Sequence, residues 1–182
     1  MKILLAGTLL TITIVMSRGQ AIYISHNVKF DLFSKAPIED IKAESRTGVS
    51  ALDITSRSVY FKVEIRSFEF AKSLMQEHFN EDYMESNKYP YGEFRGNIKD
   101  NIDLFKNGTY PVLIQGNLTL HNVTRSYTVK AEFKIQDGKI MASSSFPVKL
   151  VDHQIKIPKL VVKNIAEIIQ VTVYAEYEAA AK

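Results

Sequence analysis

The sequence predicts an all-β fold of antiparallel strands, a sandwich or a closed barrel, on three observations. The first is the stretch from Gly108 to Ile135, GTYPVLIQGNLTLHNVTRSYTVKAEFKI, which reads as a β-hairpin with period-two alternation on both arms. The second is that the same period recurs in most other segments. The third is that only one short window carries a helical spacing. In the hairpin, Val112, Ile114, Gly116, Leu118 and Leu120 share one face of the first arm. Val123, Tyr127, Val129, Ala131, Phe133 and Ile135 share one face of the second, alternating with Thr124, Ser126, Thr128, Lys130, Glu132 and Lys134. That is the pattern of strands wet on one side only. Arg125 is the lone charge on the apolar face, and His121-Asn122 is the turn.

Taken from the start, Lys2 precedes the apolar run Ile3 to Met16, and Ser17-Arg18-Gly19-Gln20-Ala21 comes after it. These are the basic, hydrophobic and small-residue regions of a secretory signal peptide, with cleavage expected after Ala21. The apolar run is about 14 residues, short of the roughly 20 that span a bilayer, so no integral span is expected after processing. Residues 1–21 are read as leader and 22–182 as one domain. Val28 to Ser34 alternates as a first strand, Ala36-Pro37 interrupts it, and Ile38 to Ser45 resumes pairing. Val49 to Ile54 is a short, weakly patterned piece. Val59, Phe61, Val63 and Ile65 share a face of a stronger strand.

After Phe68 the period changes. Phe70, Leu74, Met75, His78 and Phe79 recur at helical spacings, which predicts a helix from about Ala71 to Phe79 that closes one end of the core. Lys88-Tyr89-Pro90 restarts a strand carrying Gly92, Phe94, Gly96 and Ile98 on one face, its glycines marking curvature or close backbone approach. Asp100 to Asn107 is a polar connection. Beyond the hairpin, Asp137-Gly138 is a tight turn into a strand with Ile140, Ala142, Ser144, Phe146 and Val148 inward. Val151 to Pro158 turns the chain, and Ile169, Val171, Val173, Ala175 and Tyr177 form the face of the last strand.

Composition is that of an ordinary globular chain. Removing Lys2 and Arg18 with the leader lowers the formal charge from +3 to +1, which leaves no basic stripe for a nucleic-acid partner. Cysteine is absent, which excludes disulfides and thiol chemistry. His26, His78, His121 and His153 stand at no recognised metal spacing, so neither a metal nor another cofactor is expected. His121, at a turn, suits a structural hydrogen bond to the backbone. No serine sits in a nucleophile elbow, and no catalytic residue is assigned. What remains is shape. The candidate inward residues Phe61, Val63, Ile65, Phe68, Phe94, Ile114, Leu118, Val129, Phe133, Phe146 and Val173 could line a lumen around an apolar chain or fill a dry core.

GNLTLHNVTRSYTV resembles the G-x-LT-(I/L)-HGVT-(K/R) signature of the YceI family, secreted bacterial lipocalin-like proteins that bind polyisoprenoid lipids. SLMQEHFNEDYMESNKYPYGEFRG is similar to that family's helix leading into a K-Y-P-x-x-x-F strand, and GKIMASSSFPVKLVDHQIKIP to its later strand pair. The likeness runs from about Val28 to Tyr177, with Asn122 where the family usually has glycine. It implies an elongated, up-and-down β-barrel of about eight strands, lipocalin-like, with one or two short helices, in a periplasmic or secreted protein. It implies non-enzymatic binding, with sequestration or transport of an isoprenoid or other long-chain lipid, and the eleven inward residues as the lining. Arg125 is the candidate for the head group at the mouth. The other reading is a filled barrel acting as an envelope interaction or stress-response module. The sequence gives no oligomeric state.

Overall fold

The alternation condenses into long strands whose apolar faces can be buried together only by curling the sheet onto itself. In this computed structural model, which describes residues 22–35, 40–156 and 167–180, the strands are β1 (Ile22–Ser34), β2 (Ile41–Asp53), β3 (Ser58–Glu64), the two-residue β4 (Glu69–Phe70), β5 (Tyr91–Ile98), β6 (Gly108–Leu120), β7 (Val123–Gln136), β8 (Lys139–Lys149) and β9 (Ile168–Ala179). The order runs β1-β9-β8-β7-β6-β5-β3-β2, and β2 pairs back onto β1. Eight strands therefore close an antiparallel barrel, each with a partner on both sides. β4 adds onto β2 through Ala43 and Glu44. The leader, the Ala36-Pro37 break and Pro158 lie outside the described residues.

Two expectations need correcting at the N-terminal end. The first strand starts at Ile22 instead of Val28, and the two pieces expected to end at Ser45 and to start at Val49 are joined in one strand, β2 (Ile41–Asp53). The cause is bulging. In β2 the buried positions are Ala43 and Ser45, then Gly48, Ser50 and Leu52, and in β1 they pass from Ser25 to Val28 and Phe30. The β1–β2 register shifts between Ser25 and Phe30. Each extra residue inverts the parity of the residues beyond it, so a strict period-two reading breaks although the strand does not.

The helix is also shorter than expected. α1 spans Ser73–His78 and runs into a π-helical turn, Phe79–Tyr83. Leu74, assigned to the apolar face, is 62% exposed, because six residues offer too little surface to turn a full stripe inward. Phe79 reaches the barrel end, 5.8 Å from the ring of Phe68 and 4.9 Å from that of Phe70.

The central hairpin pairs from Gly108↔Ile135 to Leu120↔Val123. Its turn residues His121 (φ 51°) and Asn122 (φ 59°) both adopt the left-handed backbone of a primed hairpin turn, which asparagine tolerates in place of glycine. Gly96 and Gly116 face one another across β5 and β6. A Cβ on Gly96 would stand 2.9 Å from the ring of Phe94, and one on Gly116 2.7 Å from the same ring. The two glycines let that ring lie over the ladder, the close approach their positions in the strands suggested.

Candidate functional site

One half of the barrel is solid and the other hollow. The cavity measures about 140 Å³. Inward side chains of β1, β3, β5, β6, β7, β8 and β9 build its wall, and the segment after β3 caps it together with a lid, the helical stretch from Ser73 to Tyr83 and the turn after it. The structure puts all eleven candidate residues on that wall: Phe61 and Val63 on β3, Ile65 and Phe68 just after it, Phe94 on β5, Ile114 and Leu118 on β6, Val129 and Phe133 on β7, Phe146 on β8 and Val173 on β9. Leu32, Leu120, Val148 and Ile169 join them, and their place on alternating apolar faces was the available signal. Met84 and Leu150 also line it, and no periodicity announced them.

The floor is built largely by phenylalanines. Phe61 pairs with Phe94, Phe30 with Val173 and Phe133 with Ala142, each the deepest wall residue of its strand. Beneath it, Leu52, Val59, Ile98, Val112, Ile135, Ile140 and Tyr177 are buried without touching the cavity. The Tyr177 hydroxyl shares a 2.7 Å hydrogen bond with Ser50, and burial holds this phenol well above the ordinary tyrosine range.

The polar wall residues are Glu93, Ser143 and Ser144. Two of them are engaged elsewhere: Ser144 Oγ donates to the Lys130 carbonyl at 2.7 Å, and Glu93 accepts from Arg95 at 3.1 Å. The interior therefore offers an apolar ligand a surface of carbon, with nothing to hold a charge. Arg125 has the inward parity, opposite Leu118, yet it is exposed, bonded to the Thr124 carbonyl, and off the cavity wall. Among the described residues no group of three acidic, cysteine or histidine side chains could hold a metal.

The hairpin tip fastens the lid. His121 Nε2 lies 2.8 Å from a carboxylate oxygen of Glu85, and its ring meets Tyr89 edge-on at 4.3 Å. The expected partner of His121 was a backbone group. The partner is instead a side chain 36 residues away, because the tip leans over the turn that comes after the π-helical segment.

A family model described as a YceI-like domain matches residues 23–177. Among solved structures the chain is similar to a polyisoprenoid-binding domain from Saccharophagus degradans implicated in plant cell wall breakdown, at 13% identity and a TM-score of 0.74, over 88% of this chain and 99% of that one. It is similar to BcnA of Burkholderia cenocepacia at 13% identity and a TM-score of 0.70, over 83% and 96%. It is also similar to the Campylobacter jejuni YceI protein at 16% identity and a TM-score of 0.56, over 96% and 94%. At such identities the likeness speaks for the fold alone. No curated protein matches the sequence.

Proposed function

The chain belongs to the family of YceI-like domains, and from that premise we propose that it is a non-enzymatic carrier that sequesters or transports an isoprenoid or other long-chain amphiphile in its barrel. The observation that carries this reading is the carbon-lined cavity above the phenylalanine floor. Each buried CH₂ contributes about 0.8 kcal/mol, so a tail of several carbons offsets most of the cost of ordering it. The eleven lining residues supply that burial. Arg125, exposed at the mouth half, is our candidate for the polar head. The lipid class is supported by the Saccharophagus degradans relative, itself a polyisoprenoid-binding domain.

Organic extraction of protein purified from its own host, followed by mass spectrometry, tests the reading. A stoichiometric long-chain lipid is expected, and a lipid-free protein that takes up no polyprenyl probe overturns it. The fully packed lower half favours the second reading, a filled barrel that works as an envelope interaction module, and the same extraction separates the two. We further propose export to the periplasm or beyond with removal of residues 1–21. N-terminal sequencing of the mature protein should begin at Ile22; an intact Met1 refutes it.

A further inference from the structure

The β7–β8 ladder is incomplete. It pairs only from Ala131↔Ser144 to Gln136↔Lys139, although β7 begins at Val123 and β8 continues to Lys149. On their other sides both strands stay paired to their ends, β7 with β6 as far as Val123 and β8 with β9 as far as Lys149. The barrel wall is therefore split between residues 123–130 and 145–149, along the hollow half. The cavity reaches this slit: Val129 on the unpaired part of β7 and Phe146 and Val148 on that of β8 all lie on the cavity wall.

Among the described residues, side chains bridge the slit where the β7–β8 ladder does not. Tyr127 of β7 meets Phe146 of β8 edge-on at 6.1 Å. His153, from the short 3-10 turn Leu150–His153, stacks on Tyr127 at 6.0 Å and is 0% exposed. Its Nδ1 is 2.9 Å from the Val123 carbonyl, which can only accept, so Nδ1 carries the proton. Its Nε2, 3.1 Å from the Tyr127 hydroxyl, then accepts from that hydroxyl. The neutral ring thus satisfies both nitrogens without placing a charge in the buried site.

We propose that the β7–β8 slit is a side door to the cavity, with His153 its latch, closed while the imidazole is neutral and released when it is protonated. A second proton on Nε2 ends its role as acceptor, forces the Tyr127 hydroxyl to turn and accept, and places a cation on a ring that is 0% exposed. The charged and titratable groups acting on it are Arg125 and Tyr127 from β7 and Asp152 from its own turn, while the β6 end contributes the Leu120 carbonyl. The cation Arg125 opposes protonation and Asp152 favours it, but burial outweighs both and lowers the affinity of the closed ring for its proton below the ordinary histidine value of 6.5. The closed turn therefore has its full strength above pH about 6.5 and loses it as the pH falls through the lowered value. An imidazolium is better solvated in water than in the buried site, and reaching water lifts the turn off β7.

The door rests on the reading of the cavity as a lipid site; the latch does not, and the two are measured separately. For the latch, hydrogen exchange tracks the Gln154 and Ile155 amides, which are bonded within the turn to Val151 and Leu150, against the Ala131–Gln136 ladder as internal reference. From pH 7.5 to pH 5 their relative protection should fall tenfold or more, and in His153→Gln it should stay constant. Tyr127→Phe, which removes the hydroxyl that Nε2 meets, should move the midpoint of the fall. Protection that is flat in the parent, or that falls equally in His153→Gln, overturns the latch. For the door, stopped-flow uptake of a neutral fluorescent polyprenol should accelerate at pH 5 by the same factor in the parent and not in His153→Gln. Unchanged uptake beside a falling protection overturns the door. Absence of probe binding at both pH values overturns the carrier reading itself, with the latch still decided by exchange.

Discussion

Phe133→Ala should deepen the cavity and change which chain length the barrel prefers. Phe133 is 0% exposed and is the deepest wall residue of β7, with Ala142 beside it on β8. Truncating a buried phenylalanine costs about 3–5 kcal/mol. About 2 kcal/mol of that is lost transfer energy, and the remaining ~2 kcal/mol, at ~24 cal/mol per Å³, corresponds to a new void of about 80 Å³. Joined to a cavity of about 140 Å³, such a void admits roughly three more carbon groups at a water-like ~30 Å³ each. At ~0.8 kcal/mol per CH₂ they contribute about 2.4 kcal/mol, a shift of roughly 50-fold towards the longer chain. The assay is a titration of parent and variant with two fluorescent probes whose tails differ by three carbons. Lys134→Ser, one residue on and facing water, is the control and should leave both affinities unchanged. The cost is a large part of a typical domain's stability of about 5–15 kcal/mol, so cooperative unfolding of the variant is checked first. An identical length preference in folded parent and variant would refute the placing of Phe133 at the floor of an occupied cavity.

Tyr177 should be the last of the nine tyrosines to ionise, since its folded form holds the proton more tightly; its contribution to stability is complete below pH about 10 and lost as the pH rises, so its phenolate absorbance should appear only with unfolding. Gly116→Ala should destabilise by about 1–3 kcal/mol, read as a lower melting temperature, because the new methyl meets the Phe94 ring and the Gly96 Cα. His121→Ala should cost about 1 kcal/mol in a urea titration, with Glu85→Gln costing little more in the same background, because the two side chains hold one contact between hairpin tip and lid.

Period-two alternation determined the larger part of this protein from sequence alone. From Val59 onward every long strand has the face its residues declare, since an antiparallel barrel wet on the outside and dry within asks each residue only which side it is on. The same parity is why the cavity wall was legible: Phe61, Phe94, Phe133 and Phe146 needed no knowledge of their neighbours to be turned inward. Tertiary structure alone decided what parity does not encode. The bulges in β1 and β2 invert the faces partway along a strand, and only the pairing of those two strands fixes where. Whether inward residues fill the barrel or leave it hollow depends on register between strands, which makes Phe30, Phe61, Phe94 and Phe133 the deepest wall residues of their strands. The Glu85 contact of His121 and the buried place of His153 come from segments 36 and 30 residues away from their partners. Such contacts are made by loops folding over a barrel end, and no local pattern records them, because their energy is realised only once the barrel beneath them has closed.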